Sequence, residues 1–582
     1  MSESLPASAA VDPVAVPRRA WWRRASVLSA VVFIALLLNS SQTLFRTALY
    51  ETDDYAADSL QVLKAKQFRE TLGNYCRFGF HHPGPAFWYV FGWGEMLFHD
   101  ATHIVPTPFN AQLIALYALS AFFFGATVAL VAARAGPAGG WFLGLALLFA
   151  AWHFGAVGKF LEFIPGNLGL LVPWMPCYIV LPFLCFLVAG ASVAAGGGKD
   201  LPLMVLAACF LVHGHVGMPL QVVPLTLIAY GAFWLDARRT GQPPWSLFRR
   251  EHWLAAAIIA LFLTPLLIDL FTAHPNNLAL IVEHLRTSYG ERKGLLRSFL
   301  YFTHFGAYAA YPSQQEIPAL ENFDATGMRS FFLLHWPAYA LWLGSVLLLI
   351  ATTRTKVAAN SDEWGIGKFK RRLFLILAVA FGLSLVWGSI QEGPMFYYNA
   401  LFNFAIYYAW LLVVALSTAV WIESRALSWP ATTRTMGLIA LALLAASAFI
   451  RERRHFRAAP NADENRFFAA AVERALALDP AQPKFLNFDW QGGGQTTRVA
   501  LYLERRGVRW WVREDWPLLF GEERIIREGK PGQPVPEPES SFWRIVWHPN
   551  LAAQATTPNA TVIPLTVGYD LIVYPGKTKT AP

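Results

Sequence analysis

The sequence predicts a mainly α, polytopic bundle of transmembrane helices that carries a small C-terminal α/β domain. Three observations predict it. Of the 582 residues, 55% are hydrophobic and only 15% charged, with a mean hydropathy of +0.38; an ordinary soluble chain carries about 25% charged residues. Apolar runs long enough to cross roughly 30 Å of hydrocarbon recur between residues 27 and 450. Beyond about Ala458 the composition turns soluble, with helical and strand periodicities in alternation.

The chain opens with a polar and then basic stretch, and residues 1–25 read as a cytoplasmic tail. Arg18, Arg19, Arg23 and Arg24 stand before the first apolar run, so the positive-inside rule puts the N-terminus in the cytoplasm. No small-residue cleavage site follows that run, so it reads as a retained helix. Residues 26–455 form the membrane module. Further spans are expected at about 109–133, 138–156, 168–194, 201–217, 218–236, 252–273, 331–352, 371–390, 396–421 and 433–450, about eleven in all. On that count the basic loops 236–251, 353–372 and 423–434 fall inside. Only RERRHFR, after the last span, departs from the pattern.

Two outer loops are long, 48–108 and 274–330. In the first, SLQVLKAKQFRETL mixes apolar and charged residues as an interfacial amphipathic helix does. Pro85 to Phe98 is aromatic-rich and too short to span, so it reads as a second interfacial or re-entrant helix. Residues 456–582 form the outer domain. There KFLNFDW, GVRWWV, FWRIVWH and DLIVYP read as strands, and TTRVALYLERRG as a helix stopped by Gly507.

The composition narrows the function classes. In a membrane protein a net charge of +9 reflects loop cations, and no nucleic-acid recognition motif accompanies it. Of the four cysteines, Cys177, Cys185 and Cys209 sit in apolar runs, and no pair has metal-ligand spacing, so neither a zinc site nor a disulfide framework is expected. No long-range repeat suggests a transporter built from inverted halves.

Polar residues gather in the outer loops. Asp53 and Asp54 follow the first span directly; such a pair can take a proton from a hydroxyl or hold a cation, and its competing reading is a solvated helix cap. In RFGFHHPGP, Arg77 offers a fork matched to phosphate oxygens, and His81 and His82 can donate to an anion. In HGHVGMP, His213 and His215 end a helix on the same side. Lys159 and Glu162, Glu283 and Arg286, and Gln391 complete the candidates for donor phosphate and sugar contacts. The competing reading of the cations is attraction to anionic headgroups in general. Asp489 with Gly492–Gly494 is a weak candidate for a binding loop, because no nucleotide motif frames the glycines.

The acidic pair after a first helix, the interfacial helices, the bundle and the outer C-terminal domain together resemble the GT-C superfamily of integral-membrane glycosyltransferases. RFGFHHPGPAFWY, HGHVG and LNFDW…VALYLERRG…DWPLLFG also resemble a set of bacterial multi-spanning proteins grouped with glycosyltransferases. The resemblance implies a protein of the bacterial inner membrane with its C-terminal domain in the periplasm. It implies a polyprenyl-phosphate sugar donor, a glycan, lipid or protein acceptor, and an acidic general base in the first outer loop. That role carries over to Asp53 or Asp54, with the choice open. No Asp-x-Asp motif stands near Asp53, so no metal ligand is assigned and a divalent cation is left open as a cofactor. The competing classes are a flippase for a lipid-linked saccharide and a non-catalytic envelope assembly subunit.

Overall fold

The first apolar run forms α1 (Ala20–Asn39) and packs along α5 (Pro108–Arg134). In this computed structural model the described residues are 20–160, 171–239, 241, 250–287, 293–310, parts of 329–347, 365–391, 396–453, 462–479, 483–513, 517–526, 542–551 and 560–574. A short α2 (Ser41–Arg46) and an extended link lead to α3 (Asp53–Lys66). That link is fixed by one buried side chain at the start of α5. Asn110 accepts from Leu49 N at 3.1 Å and donates to the carbonyls of Thr43, Leu44 and Thr47 at 2.9–3.0 Å. Pro108 at the first turn and the Thr107 cap suit a helix start there.

The remaining helices of the bundle are α4 (Ala86–Gly94), α6 (Gly139–Phe160), α7 (Met175–Tyr178), α8 (Val180–Ala194), α9 (Leu201–Gly214), α10 (Met218–Arg239), α11 (Arg250–Thr272), α12 (Asn277–Thr287), α13 (Leu295–Ala310), α14 (Ile366–Ser389), α15 (Phe404–Ala426) and α16 (Ala431–Arg453). α4 continues as a π-helical turn, Glu95–Ala101. α8 is buried along its whole length, as expected of a helix apolar on every face. It packs against α5, α9, α10, α14 and α15.

Among the described residues seven helices have the length and hydropathy to cross a membrane, with shorter apolar helices at Arg24–Asn39 and Gly136–Ala151. The expected 168–194 span is one of the seven, as Met175–Ala194, with a single turn residue, Ile179, between α7 and α8. The 201–217 span holds only the 14 residues of α9, about 21 Å of helix.

The segment expected to lie flat on the membrane is instead sandwiched. Ala56, Ala57 and Leu60 of α3 enter the core of the C-terminal domain, whereas Val62 and Ala65 enter the core of the bundle. At 100° per residue these two sets fall on opposite faces of the helix.

The C-terminal domain carries α17 (Ala462–Leu478), β3 (Lys484–Phe488), α18 (Gly493–Arg505), β4 (Trp510–Arg513), β5 (Ile525–Ile526), β6 (Phe542–Trp547), β7 (Thr561–Thr566) and β8 (Tyr569–Val573). The sheet order is β5-β4-β3-β6-β8-β7; β5, β4, β3 and β6 are parallel and β8 is antiparallel to both neighbours. All four expected strands are present, and α18 makes the crossover from β3 to β4. Gly507 follows that helix with φ 68°, the left-handed stop that its sequence signalled.

A buried polar network fastens this domain to the module. Arg505 of α18 forks onto Glu51, with one arm at 3.0 Å, and lies 3.6 Å from Glu95. Glu95 also meets Lys66 at 3.0 Å and Gln112 at 2.8 Å, and Gln112 donates to Ser59 at 2.9 Å.

Candidate active site

A small hairpin, β1 (Tyr75–Cys76) paired with β2 (Phe80–His81), organises the first outer loop. Beyond it, HHPGP turns back against the α9–α10 turn. Gly84 N donates to His213 O at 3.2 Å and Val216 N donates to His82 Nδ1 at 3.1 Å. The His82 and His215 rings stack with centroids 4.8 Å apart. Because each Nδ1 accepts a backbone N–H, from Val216 and Gly217 respectively, geometry assigns the proton of each neutral ring to Nε2. Burial holds the His82 pKa well below the usual histidine value, with the neighbouring His215 and His81 adding to the effect.

Two glycines permit these approaches. A methyl group at Gly84 would collide with the His213 ring, and one at Gly494 with Asp53 Oδ1. Gly84→Ala is expected to cost about 1–3 kcal/mol by forcing the two turns apart, read as a lower melting temperature of the solubilised protein.

The two candidate aspartates point to different places. Asp53 opens α3 with φ 48°, in the left-handed region, so its side chain leaves the path that the regular helix gives Asp54. Asp53 meets α18, where Thr497 Oγ1 donates to its carbonyl at 3.1 Å and its carboxylate lies against Gly494 in the first turn, a favourable end of a helix for an anion. Asp54 turns to the hairpin and accepts the Tyr75 hydroxyl. Arg77 and Asp54 both act electrostatically on Tyr398, which brings the three groups into one neighbourhood. Arg77 is exposed and lies 4.9 Å over the Phe78 ring.

One turn along α3 lies Asp58, which the site reading from sequence passed over. It is buried and accepts from Asn74 Nδ2 at 3.2 Å, while its Oδ1 has no hydrogen-bond partner among the described residues. Burial, helped by the Asp54 charge, raises its carboxyl well above the usual carboxylate range. The signal was present in the sequence as carboxylates at i and i+4, which share a helix face. Asn74 ties the two halves of the site together, since its carbonyl accepts from His82 N at 2.7 Å.

His81 is held by its backbone. Asn277, at the start of α12, accepts from His81 N at 2.8 Å and donates to its carbonyl at 2.9 Å, and Asp269 Oδ2 accepts from Asn277 N at 2.9 Å. Burial lowers the His81 imidazole to about 4. His213 donates from Nε2 to Phe262 O at 2.9 Å, so it braces α9 on α11. His284 stacks on Phe78 at 4.8 Å. The face of α12 on the hairpin is therefore Asn277, Ile281 and His284, while Glu283 and Arg286 are exposed. Gln391 is half-buried just after α14. Lys159 lies near the end of α6, its side chain outside what is described, and Glu162 is outside the described residues. Asp489 is used within its own domain, accepting from Gly492 N, Trp547 N and Asn550 Nδ2 at 2.7–3.1 Å. Among the described residues no group of three or more His, Cys, Asp or Glu side chains is disposed to hold a metal ion.

Glu70, at the edge of the hairpin, sets a pH dependence of stability. Burial raises its carboxyl to about 7, against the pull of Lys64 and of two backbone N–H donors, Leu72 and Thr71. The folded state keeps this proton up to about pH 7, whereas an unfolded glutamate releases it near 4.5. Stability is therefore expected to fall as pH rises through that window, by up to about 3 kcal/mol. Glu70→Gln is expected to flatten the slope of melting temperature between pH 5 and 8 and to raise it above pH 7.

The elements define a polytopic helical membrane protein whose C-terminal α/β domain is docked over a polar first loop. No protein-family model matches the chain, and no curated protein matches it. Among solved structures it is similar to the crystal structure of ArnT from Cupriavidus metallidurans in the apo state, with 14% identity and a TM-score of 0.49, covering 94% of this chain and 98% of that one. It is also similar to ArnT from the same organism bound to undecaprenyl phosphate, with 14% identity and a TM-score of 0.35, covering 96% and 99%. Likeness at these scores carries no argument about activity.

Proposed function

We propose that the chain is a GT-C-type glycosyltransferase of the bacterial inner membrane that moves a sugar from a polyprenyl-phosphate donor to a hydroxyl of an envelope glycan, lipid or protein, on the outer face. The observation that carries this reading is the pair Asp54 and Asp58 on one face of α3. One carboxyl group accepts a tyrosine hydroxyl, and the other is buried one turn along, where burial raises its pKa. Environments that separate two carboxyl groups in this way assign different acid–base roles to them.

In the proposed step the acceptor hydroxyl oxygen attacks the anomeric carbon. Its proton passes to Asp54, and the carbon–oxygen bond to the phosphate breaks, its electron pair leaving with polyprenyl phosphate. Arg77 and the Nε2–H groups of His82 and His215 are the donors for the charge that develops on the leaving phosphate, where fixed dipoles and cations act most strongly. Asp53 is assigned to fastening α3 on α18, and the exposed Glu283 and Arg286 are left out of this step.

The test uses the full chain reconstituted in liposomes with synthetic polyprenyl-phosphate hexose and pentose donors and an envelope extract as acceptor. Release of polyprenyl phosphate that requires the acceptor is expected. Movement of intact donor across the bilayer without release would instead favour a flippase.

A further inference from the structure

At the other end of the bundle α10 and α14 enclose a groove of about 290 Å³ that the proposed reaction does not use. α10 starts beside His215 and runs 22 residues to Arg239, about 33 Å of helix. α14 runs the opposite way and brings Trp387 to 6.3 Å from the His215 ring. The charged end of the groove, at Arg239, is therefore roughly one membrane thickness from the candidate active site.

Its two halves differ in chemistry. The upper wall is apolar, with Leu227 and Leu235 of α10 68% and 51% exposed, and it has a hollow at Gly231, where a methyl group would meet nothing within 4 Å. The floor carries Asp236, Arg239 and Arg372. Arg372 Nη2 lies 3.2–3.3 Å from both oxygens of Asp236, and Lys368 Nζ lies 2.9 Å from one of them. Asp236 thus positions two cations and balances only one. Among the described residues Arg239 has no carboxylate partner and faces the same groove.

We infer that this groove binds an anionic membrane phospholipid, its phosphate on Arg239 and Arg372 and one acyl chain against Leu227, Gly231 and Leu235. An apolar groove that ends on a surplus of guanidinium groups matches in polarity a lipid phosphate and its acyl chain. A soluble anion would need the floor alone, and a zwitterionic lipid, which carries the same phosphate, would bring its own cation beside the guanidinium groups and bind less well.

Native mass spectrometry of the delipidated full chain, titrated with phosphatidylglycerol or phosphatidylcholine, tests the inference. The first phosphatidylglycerol is expected to bind at least about tenfold more tightly than phosphatidylcholine. The variant Arg239→Ala with Arg372→Ala is expected to erase that preference. Gly231→Leu fills the hollow, leaves every charge in place and favours helix, and it is expected to weaken phosphatidylglycerol binding without lowering the melting temperature. Equal affinity for the two lipids would overturn the inference, as would unchanged phosphatidylglycerol binding in either variant. Displacement of the lipid by millimolar glycerol phosphate would overturn it in favour of a site for soluble phosphate.

Discussion

Asp54→Asn is expected to lower acceptor-dependent release of polyprenyl phosphate by about 10²–10⁴-fold, the usual range for loss of a general base. Asparagine keeps the size of the side chain and can still accept the Tyr75 hydroxyl, so fold and donor affinity should persist while proton transfer fails. Asp53→Asn is the internal control. Its side chain faces α18 at Gly494, and its loss should change turnover by less than about tenfold, a scale set by indirect effects alone. Asp58→Asn keeps the size of a buried side chain whose carboxyl burial already pushes toward the neutral form, so it should be milder than Asp54→Asn. Initial rates at saturating donor, with the donor dissociation constant measured separately, separate these outcomes. Equal losses for Asp53→Asn and Asp54→Asn would remove the assignment of Asp54 as base.

The second large effect concerns docking of the C-terminal domain. Arg505→Ala would leave Glu51 and Glu95, 3% and 0% exposed, with Lys66 as the one cation of the network. Removing one partner of a buried ion pair typically costs about 3–5 kcal/mol, because the other charge stays buried without compensation. Arg505→Lys keeps the charge but loses the two-armed contact with Glu51, and a smaller loss is expected. Hydrogen exchange reads the effect locally. Ala56–Leu60 should exchange faster in Arg505→Ala, because that face of α3 is covered by the C-terminal domain, whereas α8 should keep its protection.

The fold was legible wherever one segment carries its own periodicity. The strands at Lys484, Trp510, Phe542 and Tyr569 are short runs of aromatic and β-branched residues, and the structure has a strand at each. β7 was not legible because Pro564 interrupts a run rich in threonine, which demotes it by pattern although it pairs as an edge strand. α3 was read as an interfacial helix because its charges suit a membrane surface; its second face is covered by a domain more than 400 residues away in the chain, which no local pattern encodes.

The site divides along the same line. The acidic pair, RFGFHHPGP and HGHVG stood out as clusters of costly polar residues in an apolar chain. Their mutual placement did not, because the contact from Val216 to His82 joins residues 134 apart. Glu283 and Arg286 stand out in the sequence by their charge, whereas the spacing of Asn277, Ile281 and His284 is what turns a helical face to the hairpin. The choice between Asp53 and Asp54 depends on where the helix starts, and boundaries are the least legible part of a helix.

A cryo-electron microscopy map of the full chain with added polyprenyl phosphate tests the central claim most directly. The account predicts headgroup density bounded by Arg77, His82 and His215, within reach of Asp54. A headgroup seated solely in the groove of Asp236, Arg239 and Arg372, with the Asp54 site empty, would contradict it.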